Sequence, residues 1–207
     1  MATISNQISK RVINSASGGR DIIHQGRFLF HRVIVFCGIM ILWGSILQGG
    51  IKEEVEKSLI NQFGDSAQLS MKKMMLTKEM RIQIEKKVHQ RFFKDFIYVW
   101  AIEANDSIKA YGLLDNVKGL SMPITFLVIF DPSGVILNTS VIKYREPYGG
   151  EISSPVWTTQ FKGRNATSNF AVGGEIDGIS GATISVYSMA TGVMKLSMLF
   201  PLIKAQL

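Results

Sequence analysis

The sequence predicts an α+β fold: an antiparallel sheet with packed helices, preceded by one N-terminal transmembrane helix. Three observations carry this. Val33 to Ile51 is a run without a charge. Between Phe96 and Tyr144, β-branched and aromatic runs alternate with turn residues. After Gly181 a long apolar face recurs at helical spacing.

The uncharged run is 19 residues long. As a helix it spans about 28 Å, close to the hydrocarbon thickness of a bilayer. The segment before it has 32 residues, and no A-x-A-like cleavage site follows it, which favours an uncleaved anchor over a signal peptide. Lys10, Arg11, Arg20, Arg27 and Arg32 precede the run against Asp21 alone, whereas Lys52, Glu53, Glu54, Glu56 and Lys57 follow it. The positive-inside rule then leaves residues 1–32 as a basic cytoplasmic segment and puts residues 52–207 outside, in the periplasm or at the exterior of a bacterial cell.

Residues 52–63 (KEEVEKSLINQF) read as an amphipathic helix leaving the membrane. Residues 66–92 read as a second helical stretch, with Met71, Met74, Met75, Ile82 and Ile84 among lysines, arginine and glutamates. Together residues 52–94 form the expected helical connecting region. The methionines suit packing better than metal binding.

From Asp95 the texture becomes that of strands. Phe96–Glu103, Ile108–Leu114, Ile124–Phe130 and Val135–Tyr144 are candidates, with turns at Asn105-Asp106 and Asp131-Pro132-Ser133-Gly134. Ser153-Ser154-Pro155 opens a short helix that puts Trp157 and Phe161 on one face, and Gly163 ends it. A short strand is expected near Phe170–Val172. The closing helix aligns Val186, Met189, Ala190, Val193, Leu196, Phe200 and Ile203, and Pro201 is expected to kink or end it.

Composition excludes some functions. The net charge is +7, but residues 1–32 hold +4 of it, which disfavours nucleic acid as a partner. Cys37 is the single cysteine, and His24, His31 and His89 show no ligand spacing. An organic cofactor therefore suits redox chemistry here better than a protein-held metal. No G-x-G-x-x-G is present, so direct binding of a nicotinamide dinucleotide has no support.

Gly173 to Ser185 (GGEIDGISGATIS) is a loop that feeds into the last helix. A helix start offers unpaired N–H groups and the positive end of the macrodipole, which suits a phosphate. Gly181 and Ala182 allow close approach, and Thr183 supplies a hydroxyl. In a plainer reading Ser180 is an N-cap and the small residues only open a helix.

Asp177-Gly178-Ile179-Ser180-Gly181-Ala182-Thr183 resembles the D-x-x-S/T-G-A-T/S signature of the FMN-binding domain family. That family includes the G subunit of Rnf complexes and the C subunit of sodium-pumping NADH:quinone reductase. Glu146-Pro147-Tyr148-Gly149-Gly150, with Trp157 and Phe161 downstream, resembles the family's E-T-P-G-x-G segment, although the Thr is missing and the spacing differs.

The resemblance implies an FMN-binding domain over residues 95–207. A flavin transferase would esterify FMN phosphate to Thr183, with Asp177, Ser180, Gly181, Ala182, Glu146, Tyr148 and Trp157 around the cofactor. Tyr144, Phe161 and Phe170 are further candidates for an aromatic wall. Arg145, Lys162 and Arg164 are candidates to stabilise a reduced flavin. The implied protein is a membrane-anchored electron-transfer subunit with other membrane redox subunits as partners. Three alternatives stay open: the same fold without flavin as a structural or assembly subunit, FMN bound noncovalently, and an extracytoplasmic sensor. The sensor would need a cytoplasmic output module, for which 32 residues are few.

Overall fold

The computed structural model describes residues 50–104 and 107–207. The leader, the Asn105-Asp106 turn and the expected span 33–51, apart from its last two residues, lie outside the described residues. Residues Ile51–Leu207 form one compact unit. Its centre is a five-stranded antiparallel sheet in chain order: β1 (Gln68–Met75), β2 (Phe96–Ala104), β3 (Ser107–Lys118), β4 (Pro123–Phe130) and β5 (Ile136–Lys143). Each strand pairs with the next, so no crossover is needed.

β4 is apolar on both faces because both are covered. Ile124, Phe126, Val128 and Phe130 point into one core, while Leu127 and Ile129 point into another. The second core is closed by α1, the helix over residues 50–63, through Val55 and Leu59 against Trp100, Ile102, Ala110 and Leu114. α1 runs antiparallel to β5. Glu54 pairs with Lys143 at the end of that strand, and Gln62 accepts from Asn138 near its start.

The opposite face carries α2 (Lys78–Val88) and α4 (Thr183–Lys204). Val186, Met189, Val193, Leu196, Phe200 and Ile203 of α4 lie in the larger core. Burying side chains of this size stabilises by about 1.5–3 kcal/mol each. Gly192 brings helix and sheet together, since a Cβ there would sit 2.5 Å from Val117 Cγ1. α4 is long and apolar enough to cross a membrane, but 61% of its most apolar window is buried in this unit, where it serves as the core helix. At its middle Lys195 is fully buried. Its ammonium lies 2.9 Å from Asp115 Oδ2, donates to the Arg91 carbonyl at 3.1 Å and sits over the Phe92 ring.

Three expectations are corrected. Residues 68–75 are an edge strand and not helix, so residues 52–94 supply α1, β1 and α2 to the unit instead of a helical connection. The Met and Lys pattern of this stretch fits either period, and pairing along the whole of Phe96–Glu103 decides it. The Phe170–Val172 strand reduces to a single bridge between Val172 and Ile176. α4 passes through Pro201 to Lys204, so the proline does not end it. A proline this near a helix end removes only one intrahelical bond, and Phe200 and Ile203 on either side are buried. Met74 is buried, whereas Met71 and Met75 are exposed along the sheet edge.

The turn at Asp131 forms as its residues dictate. Asp131 Oδ1 accepts from the amides of Ser133 and Val135 and from the Ser133 hydroxyl. The short helix α3 (Pro155–Thr158) is capped by Ser154, whose hydroxyl accepts from the Val156 amide. A 3₁₀ turn over Thr159–Phe161 completes it.

Candidate functional site

The first turn of α4 begins at Thr183, with Ala182 in the cap position and no side chain capping it. Ser180 is exposed and is not the N-cap. The plainer reading of the loop therefore loses its capping residue. Val186 is the first residue to bond back to Ala182. The amides of Thr183, Ile184 and Ser185 are thus the unpaired donors of a 22-residue helix.

Three hydroxyls lie near this end. Ser180 and Thr183 are exposed. Ser185 is buried, and it donates to Glu146 Oε2 at 3.0 Å. Among the described residues the Thr183 hydroxyl makes no hydrogen bond, so it is an accessible hydroxyl at the positive end of a helix dipole.

Glu146 joins this end to the sheet. Its Oε1 accepts from the amides of Ser121 at 2.6 Å and Met122 at 3.2 Å, in the β3–β4 turn. The Tyr144 hydroxyl lies 3.3 Å from Oε2 and donates to the Tyr148 carbonyl at 2.5 Å. Burial raises the Glu146 pKa, but the two amides and the Ser185 and Tyr144 hydroxyls outweigh it, and the carboxyl is held below its ordinary value. Burial pushes the Tyr144 phenol up, aided by the charges of Glu146 and Glu151 and opposed by the Ser185 hydroxyl.

Gly149 lets the two motif segments meet. Its φ is +78°, and a Cβ there would lie 2.7 Å from Ala182 Cβ and 2.9 Å from the Tyr144 hydroxyl. Glu146, Tyr144, Gly149, Ala182 and Ser185 thus form one contact group beside Thr183, drawn from segments almost forty residues apart.

The signature loop is held by its backbone. The Trp157 indole N–H donates to the Asp177 carbonyl at 2.8 Å, and the Asp177 amide donates to Gln160 Oε1 at 2.7 Å. The Asp177 residue itself is exposed, as is Gly181, whose φ is +77°. Trp157 is only 6% exposed and packs edge-on against Phe161, which stacks on Phe170. Phe161 and Phe170 are core residues, and the three aromatics form the support under the loop.

Arg164 is committed within this support. It donates to the carbonyls of Gln160, Asn169 and Glu175 and pairs with the Glu175 carboxylate. Arg145 is exposed and donates to the Pro123 carbonyl, and Lys162 is exposed.

Two residues escaped sequence reasoning. Tyr187 lies one helical turn after Thr183 on the same face and is 54% exposed. Ile184 is exposed beside it. Tyr148, 80% exposed, precedes Gly149, which packs against Ala182. The i, i+4 spacing of Thr183 and Tyr187 was the available signal.

The small-residue approach, the unpaired amides and the exposed aromatics fit a planar aromatic cofactor that bears a phosphate. The model of the FMN-binding domain family matches residues 119–196. No curated protein matches the chain.

Proposed function

We propose that the chain carries FMN as a phosphoester on Thr183 and serves as an electron-transfer subunit outside a bacterial membrane, a reading supported by the match of residues 119–196 to the FMN-binding domain model. The observation that carries the attachment is the exposed, unbonded Thr183 hydroxyl at the first position of α4, beside a Ser185 hydroxyl that is buried and engaged. In maturation the Thr183 oxygen displaces a nucleotide leaving group from an activated flavin phosphate. One phosphorus–oxygen bond forms, the anhydride bond breaks, and the hydroxyl proton passes to a base of the flavin transferase. The phosphodiester retains a negative charge, which the α4 dipole and the amides of its first turn stabilise.

FMN supplies chemistry that links two-electron to one-electron partners. The residues of this chain position it. Trp157 and Gln160 hold the backbone of the signature loop, Glu146 holds the first turn of α4, and Tyr187, Ile184 and Tyr148 offer an apolar edge for the ring. The run Val33–Ile51 would anchor the domain near other membrane redox subunits, with residues 1–32 in the cytoplasm. Covalent attachment suits a compartment from which a dissociable cofactor would be lost.

The test is production of the full chain with a flavin transferase. The denatured protein is expected to keep its yellow colour and fluorescence, and the peptide containing Thr183 to be heavier by FMN less one water. Thr183→Ala abolishes both, while Thr183→Ser retains flavin. Covalent flavin on Thr183→Ala would move the attachment elsewhere. Flavin that is lost on denaturing the wild type would favour noncovalent binding, and no flavin at all would favour a structural subunit.

A further inference from the structure

The ends of the sheet are not equivalent. One end holds the β4–β5 turn at Asp131–Gly134, where Lys204 near the end of α4 donates to the Pro132 carbonyl. The other end holds the β3–β4 turn, the segment Tyr144–Gly149 and the start of α4, all joined by Glu146. The start of α1 lies at this second end too. Glu54 pairs with Lys143, the last residue of β5, and Lys143 is paired with Thr125 near the start of β4. Residue 51, at which the apolar run Val33–Ile51 stops, thus sits at the same end as Thr183 and the β3–β4 turn.

That turn exposes two large apolar side chains. Leu120 is 66% and Met122 43% exposed. Most of its amides are bonded within the protein: the Ser121 and Met122 amides donate to Glu146, and the Gly119 amide donates to the Met122 carbonyl. Entry into an apolar phase is opposed chiefly by unpaired backbone groups, and here the amides of Gly119, Ser121 and Met122 are already paired. Lys118 and Arg145 flank it and are exposed, which suits a surface bearing phosphate headgroups.

We propose that the β3–β4 turn docks on the bilayer surface, with Leu120 and Met122 inserted among the headgroups, so that Thr183 faces the membrane. The proposal rests on the reading of Val33–Ile51 as an anchor. It adds an orientation that the anchor reading does not itself specify.

The full chain, carrying Cys37→Ser, is reconstituted in phosphatidylcholine–phosphatidylglycerol vesicles with or without brominated acyl chains. An environment-sensitive fluorophore is placed at Leu120→Cys or, as a control at the opposite end, at Ser133→Cys. Bromine is expected to quench the label at 120 severalfold more strongly than the label at 133. Adding Met122→Asp should bring the quenching at 120 down to the control level, with the far-ultraviolet circular dichroism unchanged. Equal quenching at both positions, or quenching at 120 that Met122→Asp leaves intact, overturns the proposal. Chains that float with the vesicles while neither label is quenched leave the anchor standing and remove the docking. Chains that do not float overturn the anchor and the docking together. None of these readouts depends on flavin, so they stand apart from the outcome at Thr183.

Discussion

The Ser185 hydroxyl donates to Glu146 across 3.0 Å, and the same carboxylate accepts the amides of Ser121 and Met122. One side chain thereby fixes the first turn of α4 against the sheet, and with it the direction in which Thr183 points. Glu146→Ala is expected to accelerate hydrogen exchange at Ser121 and Met122 and to cost about 1 kcal/mol of stability, as these exposed amides regain water. Glu146→Gln keeps one acceptor oxygen and should fall between. Unchanged exchange in Glu146→Ala would show that the turn holds itself.

The pH dependence of this clasp has a defined sign. The folded-state pKa of Glu146 lies below its ordinary value. Its contribution is therefore present above the unfolded value of about 4.3 and is lost as pH falls through the folded value. Amide protection at 121 and 122 should decline over that acid range in the wild type, and Glu146→Gln should remove this acid-dependent part. Asp131, whose pKa is also lowered because donors from Ser133, Val135 and Gly134 outweigh burial, contributes with the same sign at the opposite end. The comparison must accordingly be made residue by residue and not on global melting.

Gly149→Ala should destabilise by about 1–3 kcal/mol, because a non-glycine residue is strained at φ +78° and the new methyl would press on Ala182. Adding Ala182→Gly should recover the part due to contact with Ala182 and leave the parts due to φ and to the Tyr144 hydroxyl. Urea titration separates the two. A double variant no more stable than Gly149→Ala would show that the Ala182 contact adds nothing to the cost.

The ion pair between Lys195 and Asp115 offers a different test. Burial raises the Asp115 pKa, while the nearby Lys195 ammonium opposes the rise. Lys195→Met alone strands a buried carboxylate and should cost about 3–5 kcal/mol. Lys195→Met together with Asp115→Val removes both charges and should recover most of that loss. A double variant as unstable as the single one would mean that the pair's packing matters more than its charge balance.

Much of the domain was legible locally. Ile124–Phe130, the Asp131 turn and the following strand were readable because strand pattern and turn chemistry agree within a few residues. The start of the last helix and the signature Asp177–Thr183 were readable for the same reason, since small residues and a hydroxyl before a periodic apolar face are local facts. Residues 68–75 were not readable, because their methionines and lysines fit either period and the pairing partner lies almost thirty residues on. The role of Pro201 and the burial of Lys195 likewise depended on what packs beside them. At the site, the sequence by itself determined which hydroxyls and which Gly-rich segments exist. Only the tertiary structure decided that Glu146 bonds Ser185 and that Trp157 supports the loop from beneath. Those relations come from a sheet and a helix meeting across long sequence separations, and local chemistry carries no record of that meeting.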